Sequence, residues 1–171
     1  FNPKKSSDSL CLISGGMDQE IHFIRIDRRS GKERQGPIKI QLNADGENWQ
    51  EASVTKGYSF NVPFVYCLCC RGDEVHVGTG ECAVLTFSLK SNQLLGRLWG
   101  HQQRVTCIAN LEEEEMPIVL SGGDDSCIRV WDAAAVLLDD SAIAEIRHGL
   151  KPNAIACCCD TSDGMPHLYI G

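Results

Sequence analysis

Residues 100–132 read GHQQRVTCIANLEEEEMPIVLSGGDDSCIRVWD. The stretch opens on Gly100-His101 and closes on Trp131-Asp132. Between these marks lie three short runs of β-type residues, at 105–111, 118–121 and 127–131. Valine, isoleucine, threonine and tryptophan fit a pleated, half-buried surface. The first interruption is the acidic run 112–115, and the second is Gly122-Gly123-Asp124-Asp125-Ser126. Apolar runs punctuated in this way predict consecutive antiparallel strands joined by hairpins.

The same theme recurs on both sides. Ser14-Gly15-Gly16-Met17-Asp18 is followed by Ile21-His22-Phe23-Ile24, and Val77-Gly78-Thr79-Gly80-Glu81 by Val84-Leu85-Thr86-Phe87. Both parallel Ser121-Gly122-Gly123-Asp124-Asp125 followed by Ile128-Arg129-Val130-Trp131. Near the end, MPHLYIG at 165–171 parallels MPIVLSG at 116–122. Gly78 and Gly122 are 44 positions apart, Gly122 and Gly171 are 49 apart, and Gly15 and Gly78 are 63 apart. The polar stretch 43–59 supplies the insertion that the last spacing needs.

Composition sets bounds on this pattern. The 171 residues are 43% hydrophobic, enough for a packed core, and the net charge of −7 disfavours a surface built to hold nucleic acid. The longest uncharged apolar run, 62–70, is far short of the roughly 20 residues a membrane helix needs. The chain begins with Phe1 rather than methionine, so its natural start is expected upstream. Ten cysteines occur in clusters such as Cys67, Cys69 and Cys70, which suits reduced thiols in strands and a cytoplasmic or nuclear compartment. Cys67 and Cys70 form C-x-x-C, but residues an odd number apart on a strand face opposite ways, so no shared metal is expected.

A repeat of about 40–45 residues with Gly-His and Trp-Asp marks resembles the WD40 family. The resemblance implies an all-β fold, a partial WD40 β-propeller of about four blades, the terminal ones incomplete, each blade an antiparallel four-stranded sheet. The expected layout is a first blade at 9–42, an insertion at 43–61, a second blade at 62–99, a third at 100–147 and the start of a fourth at 148–171. Under four full blades fit in the chain, so it is expected to be a segment of a longer propeller.

The family pattern also implies a structural hydrogen-bond relay of His101, Ser121, Asp125 and Trp131. A buried indole N–H needs an acceptor, a hydroxyl supplies one, and a carboxylate orients the imidazole. A Ser-His-Asp set invites a hydrolase reading, yet Ser121 sits in no Gly-x-Ser-x-Gly elbow. The other blades depart from the pattern. Ile24 and Phe87 replace tryptophan, Glu81 replaces aspartate, Asn61 falls at the first histidine position and His148 at the last. Residues 133–142 are expected to insert between two strands as a short helical excursion. Arg25, Arg28, Arg29, Lys32 and Arg34 cluster in one turn, and 112–115 in another, each more simply a solvated turn than a docking patch.

In WD40 proteins the loops around the central channel are the usual partner site. The pattern places Gln102, Arg104 and Asp124 there, with Phe64 and Lys151 at positions matching Arg104. The chain is accordingly expected to be a non-catalytic protein-protein scaffold with no cofactor, metal or small-molecule substrate. GGDDSCIRVWDA and RHGLKPNAIA also resemble candidate substrate receptors of cullin-RING ubiquitin ligases, whose components are then expected partners. Ala134 stands where the adaptor box of such receptors carries arginine. The alternative is a scaffold in a ribonucleoprotein or RNA-processing assembly.

Overall fold

The computed structural model describes residues 9–17, 20–41, 64–91, 93–111, 117–134, 142–147, 149–159 and 166–171. Among them are thirteen strands in four antiparallel sheets and no helix. The first sheet holds β1 (Ser9–Gly15), β2 (Glu20–Asp27) and β3 (Glu33–Gln41) in sequence order. The second holds β4 (Val65–Arg71), β5 (Glu74–Thr79), β6 (Ala83–Ser88) and β7 (Leu94–Trp99). The third holds β8 (Val105–Leu111), β9 (Ile118–Gly123), β10 (Cys127–Asp132) and β11 (Ala144–Arg147), and the last pairs β12 (Ile155–Cys159) with β13 (Pro166–Ile170). Every strand pairs with its sequence neighbour, which is the meander of propeller blades. The excursion expected at 133–142 falls largely outside the described residues, as do the insertion, the acidic run 112–115, Asn61 and His148.

The core lies between sheets rather than within one. Ala83, Leu85 and Phe87 of β6 join Ile21, Val65, Val75 and Val77 in one cluster. Val84, on the opposite face of the same strand, joins Leu98, Val105, Ile108, Val119 and Trp131 in a second. Successive side chains of a strand point to opposite faces, so a sheet packed on both sides has strands with no polar face. This is why β6 reads as a nearly continuous apolar run and is buried from Ala83 to Phe87. By contrast β11, at the outer edge of its sheet, is exposed throughout.

One junction repeats from sheet to sheet. A side chain at Gly15 would meet Val65, at Gly78 Val105, and at Gly122 Pro152. Each of these glycines, at or near the end of β1, β5 or β9, therefore receives a residue at or just before the start of the next sheet's first strand. Cys67 and Cys107 occupy equivalent bulged positions, paired with Gly78 and Gly122. Their thiols reach the Val105 and Pro152 carbonyls, at 3.7 and 3.5 Å. Backbone bonds of 3.0 Å both ways between Ala154 and Gly171 continue the pairing into the last sheet.

The junction leaves no room for a methyl group. An added Cβ at Gly78 would collide with Cys67 Sγ and lie 2.8 Å from Val105 Cγ1. Gly78→Ala is expected to destabilise the intact protein by about 1–3 kcal/mol, the usual cost of overpacking. Adding Cys67→Ala should recover part of that loss in urea unfolding. An unchanged midpoint for Gly78→Ala would show that the sheets can separate at no cost.

Candidate functional site

The third sheet carries a buried polar chain. Trp131 Nε1 donates to Ser121 Oγ at 2.8 Å, and Ser121 Oγ lies 2.8 Å from His101 Nε2. His101 Nδ1 faces Asp125 at 3.0 and 3.1 Å. His101 and Ser121 are fully buried and Trp131 is 1% exposed. The partners decide the tautomer. An ionised Asp125 carboxylate can only accept, so the ring proton sits on Nδ1, which Arg129 Nη1 also approaches at 2.9 Å; Nε2 then accepts the Ser121 O–H, whose oxygen accepts the indole N–H. All three polar side chains are satisfied in one direction.

Two further residues, which sequence reasoning missed, extend the chain. Arg129 is 5% exposed and donates from Nη1 to Asp125 Oδ2 at 2.9 Å and from Nη2 to Glu145 Oε2 at 2.6 Å. The signal was present: Arg129 and Trp131 are two apart on a strand and so share a face. A cation on the buried face needs an anion, but its second partner, Glu145, comes from β11 across a long connection. Burial pushes the Asp125 carboxyl up, yet the hydrogen bond from His101, the Gln102 N–H and the Arg129 guanidinium hold it well below the usual carboxylate range. Gln102 N donates to Asp125 Oδ2 at 2.9 Å, tying the loop before β8 to the turn after β9. That turn is shaped by Ser126 at φ 62°, and its counterpart in the second sheet by Cys82 at φ 66°. The left-handed residue is the same one in both turns, directly after Asp125 or Glu81.

The second sheet lacks the chain. Phe87 and Val77 stand where Trp131 and Ser121 do, and both are buried in apolar surroundings. Glu81 keeps the acidic position but is 2% exposed, and neither carboxylate oxygen has a hydrogen-bond partner among the described residues. Burial pushes its carboxyl up to about 7, against the pull of Arg97. His76 is also buried, 2.9 Å from Thr86 Oγ1, and burial, then the Arg71 charge, lowers it to about 4.

A raised carboxyl contributes stability that is complete below its unfolded value and lost as pH rises through its folded one. Glu81→Gln is therefore expected to match the parent protein near pH 4.5 and to exceed it in stability above pH 7, by up to roughly 3 kcal/mol. Denaturant unfolding of both proteins at pH 5 and pH 8 checks this. His76 is common to both, so its own titration cancels. A stability difference that does not change with pH would mean Glu81 is solvated.

The candidate partner residues lie at the surface above this network. Gln102 is exposed; Arg104 is 48% and Lys151 60% exposed at the side chain, while Asp124 is 10% exposed. Arg104 Nε pairs with Asp124 Oδ2, and Lys151 Nζ lies 3.9 Å from Asp124 Oδ1. Phe64 is half-buried; its carbonyl accepts from Gly80 N at 3.2 Å, as the Arg104 carbonyl accepts from Asp124 N at 3.0 Å. Tyr66, not singled out from the sequence, is 42% exposed and carries the Arg104 guanidinium 5.3 Å from its ring centroid. The β-bulge between Val65 and Cys67 contains Tyr66, and nothing in the one-dimensional pattern announces it.

Residues 92–132 match the family model described as WD domain, G-beta repeat. Human THO complex subunit 6 is 38% identical over 53 residues, 31% of this chain and 15% of that protein. The LEC14B protein of Lithospermum erythrorhizon is 30% identical over 76 residues, 44% of this chain and 16% of that protein. The matched stretches thus span less than a fifth of these relatives. Among solved structures, the RRP9 WD40 repeats align over 94% of this chain and 48% of that one, at TM-score 0.58 and 16% identity. The computationally designed Ika4 protein aligns over 96% and 86%, at TM-score 0.57 and 20% identity. The matched repeat at 92–132 and the fold shared with WD40-repeat structures support placing the chain among WD40-repeat β-propellers.

Proposed function

We propose that the chain acts as a non-catalytic protein-protein interaction scaffold, in the cytoplasm or nucleus, through the loop surface formed by Phe64, Gln102, Arg104, Asp124 and Lys151. The observation that carries this reading is the contrast between the two polar groupings of the third sheet. The Ser-His-Asp set is spent on structure: the Ser121 oxygen, which a hydrolase would use as nucleophile, is fully buried and already takes the Trp131 N–H. The surface residues directly above it are instead held in place with their outer faces open to a partner.

Of the finer readings, a subunit of a defined multiprotein assembly is favoured over a ligase receptor. The chain is similar to a protein named as a complex subunit. The ligase box, moreover, has Ala134 at its arginine position, exposed, with its backbone N–H on Asp132 Oδ1 at 2.8 Å. A ribonucleoprotein or RNA-processing assembly is the reading we carry forward.

Affinity purification of the intact protein with mass spectrometry tests it. Recovery of subunits of one RNA-processing assembly is the expected outcome, and recovery of cullin-RING components in their place would reverse the preference. Phe64→Ala combined with Arg104→Glu is expected to deplete copurifying partners while leaving the circular dichroism spectrum unchanged. Retention of every partner at wild-type level would exclude this face.

A further inference from the structure

The surface built on Arg104 goes beyond what folding requires. Tyr66 comes from the second sheet, Arg104 and Asp124 from the third, and Lys151 from the approach to the fourth. The contacts among them are largely exposed, and exposed ion pairs of this kind add only about 0–1 kcal/mol to stability. Their effect on Arg104 is larger than their effect on the fold. Its guanidinium lies over the Tyr66 ring and its Nε is held by Asp124, so the side chain is fixed before any ligand arrives. Only Nε is used in that pair. The guanidinium also makes a side-chain hydrogen bond with Tyr66, and the remaining N–H donors of this exposed side chain can meet a carboxylate. Lys151 brings a second cation to the single Asp124 carboxylate. The cluster is therefore a locally cationic spot, with an exposed aromatic ring beside it, on a chain of net charge −7.

Building on the scaffold reading above, we propose that Tyr66, Arg104 and Lys151 form a docking site for an acidic peptide segment of a protein partner. A glutamate or aspartate carboxylate of that segment takes the remaining N–H donors of Arg104, Lys151 neutralises the excess negative charge, and an adjacent apolar residue covers Tyr66. Pre-ordering of the arginine removes rotamer entropy that binding would otherwise have to overcome. A carboxylate suits the site better than a nucleic-acid backbone, because the surrounding chain is acidic and repels a polyanion beyond the first contact.

Fluorescence anisotropy on the intact protein tests this. The probes are a labelled octapeptide of alternating glutamate and phenylalanine, its glutamine-for-glutamate counterpart, and a uridine octanucleotide. The glutamate probe is expected to bind at least tenfold tighter than the glutamine probe. Arg104→Glu should weaken it at least tenfold, and Arg104→Lys should weaken it less. Lys90→Glu makes the same charge change at an exposed lysine that pairs with Asp73 elsewhere, and should leave binding within twofold. Equal binding of the two peptides, or equal losses from Arg104→Glu and Lys90→Glu, would overturn the site. Arg104-dependent binding of the octanucleotide in preference to the acidic peptide would overturn it in favour of a nucleic-acid ligand. If partners still copurify with the Arg104→Glu protein, the docking site fails while the scaffold reading stands; if the unmodified protein copurifies none, the scaffold reading itself fails.

Discussion

Replacing Trp131 with alanine is expected to cost the intact protein about 3–5 kcal/mol, the range for large buried aromatics. The indole bridges two sheets: it packs in one cluster with Val84 and Leu98 of the second sheet and Val105, Ile108 and Val119 of the third. Its removal leaves a cavity at a junction whose backbone is pinned by strand pairing and cannot collapse far. It also withdraws the donor from Ser121 Oγ and the tilted ring contact with His101, whose centroid is 6.3 Å away. Trp131→Phe separates the two effects. It keeps most of the packing and loses the N–H, so a smaller loss of about 1–2 kcal/mol is expected. A double-mutant cycle of Trp131→Phe with Ser121→Ala, read by denaturant unfolding, should give less than the sum of the single losses. A loss below about 1 kcal/mol for Trp131→Ala would show that the indole is not part of the core, against the usual scale for such sites.

Asp125→Ala is expected to have an effect of similar size for an electrostatic reason. Asp125 accepts from His101, from Gln102 N, from Cys127 N at 3.2 Å and from Arg129. Among the described residues, removing it leaves the buried Arg129 guanidinium with Glu145 as its one carboxylate partner and takes away the carboxylate acceptor of the His101 N–H. Breaking a buried pair by deleting one partner costs about 3–5 kcal/mol, mostly through the charge left behind. The second sheet suggests the rescue. Leu85 stands two residues before Phe87, as Arg129 stands two before Trp131, and it is fully buried without a charge. Asp125→Ala combined with Arg129→Leu should therefore be more stable than Asp125→Ala alone. The sign with pH follows from the depressed Asp125 carboxyl. Its contribution is present above the unfolded value near 3.8 and is lost as pH falls below it. The parent protein should approach the Asp125→Ala variant in stability on acidification below about pH 4, while at pH 7 the gap should be full. A gap of constant size from pH 7 to pH 3 would mean that Asp125 is not the ionised partner of His101 and Arg129.

The family and the run of strands were legible because they rest on local chemistry. Turn residues such as Gly122-Gly123-Asp124-Asp125 end one strand and begin another by backbone preference alone, and the alternation of apolar residues sets which side chains turn inward. The roles of His101, Ser121, Asp125 and Trp131 could be read from one repeat because family resemblance supplied the order of donors and acceptors. Only the tertiary structure decided the rest. Arg129 became part of the buried chain because β11 delivers Glu145 beside it, an arrangement set by strand pairing. Glu81 reads like a conservative replacement for aspartate, yet its carboxylate is buried with no hydrogen-bond partner among the described residues, while Asp125 draws four donors. Tyr66 meets Arg104 only because a bulge turns it outward at the point where two sheets adjoin. Local sequence determines strands and turns, since these depend on neighbours along the chain. Burial of charge and the pairing of side chains between sheets depend on distances that exist only once the sheets have stacked.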